Sequence, residues 1–149
     1  ARYFDKKALR DVTVKQLFTA ETELDAELVK RAKHVITENT RTESALIALQ
    51  NNDMLKMSEL MAQSHNSLKD DFEISTPEID YLVEIIAAEI GSKGGVRMTG
   101  GGFGGCVIVL TPKYLVEQIK EKIVATYQLH TGLKEEIYVC TASKGAFNR

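Results

Sequence analysis

A glycine-rich stretch constrains this chain more than any other feature. Residues 94–110 contain seven of its ten glycines, and five of the six residues at 100–105 are glycine. Such a run permits positive φ and lets another backbone or a ligand approach closely, at a cost in chain entropy. The apolar, β-branched residues 106–110 follow it and predict a buried strand. We therefore predict a strand, a glycine loop and a second strand.

Two nucleotide-binding motifs can be compared with this loop. Gly100, Gly102 and Gly105 match the spacing G-x-G-x-x-G, but that motif requires a helix immediately afterwards. The loop contains no Gly-Lys-Ser/Thr, which excludes the phosphate-binding P-loop. Two interpretations remain, a tight connection between strands and a close approach to a ligand. Apart from Thr99 and the flanking Arg97 the loop carries no acid, base or nucleophile, so we interpret it as a wall of a site.

Size and composition limit the class of protein. A chain of 149 residues with 44% hydrophobic and 27% charged residues is typical of one globular domain with its own core. The net charge of −2 comes without a basic cluster, so neither nucleic acid nor an anionic membrane is an expected partner. No apolar run approaches the ~20 residues of a membrane span, and no signal peptide is recognisable. We expect a cytoplasmic protein.

Cysteine usage and the first residues add two expectations. Cys106 and Cys140 each lie in an apolar, strand-like run and form no C-x-x-C pair, which predicts buried free thiols of a reducing compartment. The chain begins at Ala1 without an initiator Met or a targeting pattern. We therefore expect it to be part of a longer protein.

Helical periodicity and capping residues organise the rest of the chain. Thr13 belongs either to a short apolar segment or to the cap of a brief helix through Phe18. Further helices are predicted at residues 25–50, 54–68, 77–90 and from 112 onwards, with a last strand at 136–141 and a polar tail at 142–149. Helices followed by β-α-β predict a single α+β domain at 1–149, with helices packed on one face of a small, mainly antiparallel sheet.

Polar residues in the middle of the long helix form one candidate surface. Residues 37–44 are wholly polar, which usually marks a solvated face, and we favour that interpretation. Eight polar residues in a row nevertheless span two faces of a helix. Some of Glu38, Asn39 and Arg41 are therefore alternative candidates for contact with a partner domain.

Candidate metal-binding and acid–base residues are few. Asp70 and Asp71 form either a metal or acid–base pair or, as we favour, a simply solvated pair on a loop. The three histidines, His34, His65 and His130, have no ligand-like spacing among themselves or with the cysteines, so we do not expect zinc.

Three segments together resemble the galactokinases, a branch of the GHMP family of small-molecule kinases. Residues 97–106 resemble the third conserved motif of that family. Residues 64–75 resemble the segment before it, although galactokinases usually carry Arg where Lys69 stands. Residues 31–39 resemble the first long helix, with small departures. The resemblance covers nearly the whole chain.

The resemblance implies an activity. It implies transfer of the γ-phosphoryl group of MgATP to the C1 hydroxyl of α-D-galactose, the first step of the Leloir pathway, in a cleft between two domains. It also places the glycine loop beside the sugar and the nucleotide phosphates. The substrate- and nucleotide-binding residues that it indicates are Arg97, Thr99, Gly100, Gly101, Gly102, Phe103, Gly104 and Gly105.

The same resemblance limits what this chain does alone. The N-terminal sugar-binding segment and the phosphate loop of the family are absent, and with them the catalytic Asp and Arg and the magnesium ligands. Phosphoryl transfer depends on positioning and electrostatic stabilisation by several such parts at once. We therefore predict no catalytic or metal-binding residue in this chain and no kinase activity without the N-terminal catalytic half.

Two alternatives remain open. The first keeps the family but changes the substrate, as in a mevalonate, homoserine or other sugar kinase. Phe103 and residues 70–73 favour galactokinase over these. The second is a non-catalytic α+β module that binds a small ligand or a partner protein, which would equally lack an acid–base set.

Overall fold

The chain folds as an α+β domain in a computed structural model that describes residues 1–143. Residues 1–143 contain five α-helices and one two-stranded antiparallel sheet, which packs against α3 and α4. The helices are α1 (Val14–Thr19), α2 (Ala26–Gln50), α3 (Met54–Asp70), α4 (Pro77–Ile90) and α5 (Val116–Thr131). The strands are β1 (Gly95–Thr99) and β2 (Cys106–Leu110), in a register that pairs Gly95 with Leu110 and Thr99 with Cys106. The predicted fold class is confirmed.

Capping side chains explain where the helices begin. Thr13 accepts a hydrogen bond from the backbone N–H of Gln16 and so starts α1, which settles its role as a cap. Asp25 and Asp53 cap α2 and α3 in the same way. Thr76 caps α4, with proline at the first helical position. The helices predicted from periodicity are confirmed, and α3 extends two residues beyond its predicted end.

The main hydrophobic core lies among α4, α5 and β1. Met98 of β1 and Ile86 of α4 are 0% and 1% exposed at its centre. Burying a side chain of this size stabilises the fold by about 1.5–3 kcal/mol. Leu115, just before α5, and the apolar positions of α5 complete the cluster, as the spacing predicted: Ile119, Ile123 and Tyr127. A second, methionine-rich cluster joins α2 and α3 and includes Met57 and Met61.

The strand β2 is less buried than its sequence predicts. Val107 and Val109 pack against the main core, but Ile108 is 50% exposed. The reason is that successive side chains of a strand point to opposite faces, so Ile108 faces away from the core that Val107 and Val109 contact. Cys106 at its start and Cys140 are both free and exposed, so the prediction of buried thiols is wrong.

The last predicted strand is also absent from the described chain. Residues 133–143 have no regular secondary structure, and Tyr138 and Val139 are 80% and 62% exposed. A strand needs a neighbour that satisfies its backbone N–H and C=O groups. Neither β1 nor β2 supplies one to residues 136–141, so an apolar β-branched pattern alone did not produce a strand. From residue 144 the predicted polar tail lies outside the described residues.

None of the helices in residues 1–143 is both long enough and apolar enough to cross a lipid bilayer.

Candidate functional site: the glycine loop and its support

Residues 100–105 connect β1 to β2, as predicted from the sequence. Four of the glycines, Gly100, Gly102, Gly104 and Gly105, have φ between 83° and 122°. Phe103 has φ 57°, in the left-handed region that non-glycine residues rarely adopt. The backbone conformation of the loop therefore requires glycine at most positions.

One side of the loop rests on the segment between α3 and α4. The N–H of Phe103 donates a hydrogen bond of 2.7 Å to the carbonyl oxygen of Ile74. A Cβ placed on Gly102 would lie 2.6 Å from Cβ of Ile74 and 2.8 Å from its oxygen. The two sequence segments that most resemble the kinase family, 64–75 and 97–106, are therefore in direct contact.

The other side of the loop is open. A Cβ on Gly100, Gly101 or Gly104 would meet no atom of the described chain within 4 Å. The side chain of Phe103 is 78% exposed at the tip. The loop thus combines a fixed, supported backbone with an unobstructed surface that a ligand can approach closely, which agrees with its interpretation as a wall.

The supporting segment is itself tied to α2. Asp71 accepts hydrogen bonds from Lys33 at 2.7 Å and from Ser67 at 2.9 Å. Arg31 donates to the carbonyl oxygen of Asp71 at 2.9 Å and pairs with Glu73 at 2.7 Å. Burial would raise the pKa of Asp71, but the bonds from Lys33 and Ser67 outweigh it and hold that pKa below its usual value. Asp71 is therefore an ionised anchor.

The two adjacent aspartates, Asp70 and Asp71, differ in exposure. Asp70 is exposed, as we favoured for both residues, whereas the side chain of Asp71 is only 13% exposed, so the expectation of a solvated residue is wrong for Asp71. Within residues 1–143 no group of three or more His, Cys, Asp or Glu side chains could hold a metal ion.

Two buried histidines lie in this support, although their sequence spacing indicated only the lack of a zinc site. Nδ1 of His34 lies 3.0 Å from the hydroxyl of Ser67, and its ring stacks on Phe72. Nδ1 of His65 accepts the backbone N–H of Met98 at 3.4 Å. Burial lowers the pKa of both histidines, which favours the neutral rings. The signal available was their position inside the two family-like segments 31–39 and 64–75.

Arg97 belongs to a polar cluster between α2, α3 and β1. Its guanidinium donates to the carbonyl oxygen of Met98 at 3.2 Å and to the hydroxyl of Ser64 at 3.4 Å. Ser64 donates in turn to Glu38 at 2.6 Å, and Glu38 pairs with Arg41 at 2.7 Å. Burial would raise the pKa of Glu38, but the bonds from Ser64 and Arg41 outweigh it and lower that pKa.

This cluster changes the expectation for the middle of α2. The side chains of Glu38 and Arg41 are 27% and 13% exposed, so the middle of α2 is not a simply solvated face. Among the predicted site residues, Arg97 contacts this cluster, Thr99 is the last residue of β1, and the residues from Gly100 to Gly105 form the loop itself. The structure brings the loop residues together and connects Arg97 to them through β1.

Comparisons with known proteins agree with this geometry. The family model described as the C-terminal region of GHMP kinases matches residues 45–129, more than half of the chain. The crystal structure of Lactococcus lactis galactokinase complexed with galactose superposes with a TM-score of 0.81 and 34% sequence identity. The match covers 89% of this chain and 34% of the galactokinase chain, so this chain spans about a third of that protein.

Proposed function

The chain belongs to the GHMP kinases, whose C-terminal region it matches, and from this premise we propose that the complete protein is a galactokinase. It transfers the γ-phosphoryl group of ATP to the C1 hydroxyl of D-galactose and releases galactose 1-phosphate. The observation that carries the proposal is the 34% identity, over 89% of this chain, to a galactokinase whose structure was determined with galactose.

The glycine loop has the role of a wall beside the substrates in this proposal. Thr99 and the residues from Gly100 to Gly105 contact the sugar or the nucleotide phosphates, and Arg97 holds the strand that leads into them. The open side of Gly100, Gly101 and Gly104 supports this role because side chains there would obstruct a ligand. Backbone N–H groups of such a loop are suited to bind phosphate oxygens.

The nucleotide and the magnesium ion have different relations to this chain. The phosphates of ATP can approach the open side of the glycine loop. Mg²⁺ supplies charge neutralisation during phosphoryl transfer. Such an ion needs only one or two protein carboxylates besides the nucleotide phosphates, and the resemblance to galactokinases assigns these ligands to the N-terminal half. The 149-residue chain alone is therefore expected to be inactive.

A cytoplasmic location is part of the same proposal. Cys106 and Cys140 are unpaired in spite of their exposure, which suits a reducing compartment.

The experiment is a comparison of ADP release with galactose and MgATP by this chain and by the product of the complete reading frame. Galactose-dependent turnover is expected only in the longer protein. A panel with other sugars, mevalonate and homoserine serves as the substrate control, because the family model covers kinases of several substrates. Turnover with another member of the panel, and none with galactose, would replace galactokinase by that kinase. The absence of turnover with every substrate would favour a non-catalytic module.

A further inference from the structure

The carboxylate of Asp80, in the first turn of α4, connects three side chains outside the glycine loop. Its Oδ1 accepts a hydrogen bond from the hydroxyl of Ser75 at 2.6 Å. Its Oδ2 pairs with Nζ of Lys69 at 3.0 Å, and Nε2 of His65 lies 3.5 Å from Oδ1. The side chain is 23% exposed, so these partners are only partly screened by water.

Two of the three partners lead to the loop from opposite sides. Ser75 directly follows Ile74, whose carbonyl oxygen accepts the N–H of Phe103 at the loop's tip. His65 accepts the N–H of Met98, two residues before the first glycine of the loop. One carboxylate therefore joins the strand that enters the loop to the segment on which the loop rests.

We propose that Asp80 is a positioning residue, which fixes the shape of the glycine loop through Ser75 and His65 without touching a substrate. The orientation of the His65 ring explains how Asp80 is connected to β1. Because Nδ1 accepts the Met98 N–H, Nε2 carries the proton and faces the Asp80 carboxylate. Ser75 and His65 both lie against Oδ1, and Lys69 lies against Oδ2. An asparagine has one acceptor oxygen and one donor NH₂ group, so in either orientation it places a donor against a donor and disturbs the anchor. The catalytic part of this inference rests on the proposed kinase function.

The test uses the complete protein and three variants, Asp80→Asn, Ser75→Ala and Glu84→Gln. Glu84 is the matched control because it lies one helical turn after Asp80, is exposed and lines the same groove between α3 and α4. Amide hydrogen exchange is measured at Phe103 and, as a reference for global stability, at Ile123 in the core of α5. Steady-state kinetics with galactose and MgATP gives kcat and KM.

We expect Asp80→Asn to speed exchange at Phe103 by about tenfold, since an anchoring hydrogen bond contributes on the order of 1 kcal/mol, and to leave Ile123 unchanged. Ser75→Ala has a smaller effect in the same direction. Misplacement of the loop lowers kcat by roughly ten- to a hundredfold, with KM changed by about twofold or less. Glu84→Gln matches the wild type in both measurements.

Three results would overturn the inference. Asp80→Asn could behave like Glu84→Gln, exchange could rise equally at Phe103 and Ile123, or faster exchange at Phe103 could leave kcat unaltered. If Asp80→Asn does not fold, Ser75→Ala decides, because it removes a single hydroxyl, and unchanged exchange at Phe103 in that variant contradicts the anchor. If the wild-type protein phosphorylates no galactose, the proposed function fails, while the exchange measurements still decide whether Asp80 holds the loop.

Discussion

Glycines at the two ends of β1 are required for opposite reasons. At the start of the strand, a Cβ on Gly94 would lie 2.0 Å from the carbonyl oxygen of Leu110. A Cβ on Gly95 would lie 2.6 Å from the sulfur of Met61. In the loop that follows β1, a Cβ on Gly100 or Gly104 would meet no atom of the described chain within 4 Å, yet both residues have positive φ. The first pair is fixed by close packing and the second by backbone conformation.

This difference separates a structural glycine from one that suits a binding wall. Beside Gly94 and Gly95 the chain itself fills the space, so those glycines serve the sheet. Beside Gly100 and Gly104 the described chain leaves the space open, so a ligand or another domain can occupy it. A run of glycines in a sequence contains both kinds, and only the surroundings of each residue distinguish them.

The largest effect is expected from Gly94→Ala. The new Cβ overlaps a backbone oxygen of the neighbouring strand, which cannot move without breaking the pairing of β1 with β2. Overpacking of this kind costs about 3 kcal/mol. Urea unfolding followed by circular dichroism measures the loss. An unchanged midpoint would show that the start of β1 is as open as the loop, and the comparison would fail.

A smaller loss is expected from Gly102→Ala, because this is the one loop glycine whose Cβ would meet Ile74. The clash and the positive φ of 83° together cost about 2 kcal/mol. Gly101→Ala is the matched control, since Gly101 has neither a positive φ nor a neighbour within 4 Å in the described chain. Its unfolding midpoint should equal that of the wild type. Equal losses in both variants would contradict a loop supported on one side only.

Gly104→Ala isolates the conformational requirement. Its Cβ meets nothing within 4 Å in the described chain, so the φ of 122° is the remaining reason for a cost. We expect a loss of about 1 kcal/mol, between those of Gly101→Ala and Gly102→Ala, by the same urea measurement. A loss as small as that of Gly101→Ala would mean that the loop relaxes easily, and that its shape is not fixed by glycine.

The local elements were predictable because their signals are local. Capping residues and helical spacing gave the helices, and the glycine run between two apolar segments gave the β1–loop–β2 unit. Support of the loop by Ile74 was not predictable, since it joins residues that are distant in sequence. The division of the glycines into packed and open groups has the same cause.

Burial was predicted less well than secondary structure. The run from Cys106 to Leu110 has the composition of a buried strand, but exposure depends on which neighbours cover its edge and faces. Residues 136–141 have a similar composition but pair with no strand among residues 1–143. Glu38 shows the reverse error, because a polar residue in a polar run is half-buried by hydrogen bonds to Ser64 and Arg41.

The smallest effect concerns pH and the packed part of the strand. Burial lowers the pKa of His65 below its ordinary value of 6.5, so the unfolded chain binds a proton there more readily than the folded one. The part of the stability that depends on neutral His65 is therefore fully present above pH 6.5 and declines as the pH falls below it. Protonation of Nδ1 also removes the acceptor for the Met98 N–H.

His65→Asn, which keeps a carbonyl acceptor, should reduce the slope of unfolding free energy against pH between about 6.5 and 5. His130→Asn, at an exposed position, should retain the wild-type slope. Equal slopes in wild type and His65→Asn would show that this histidine does not couple protonation to the packing of β1.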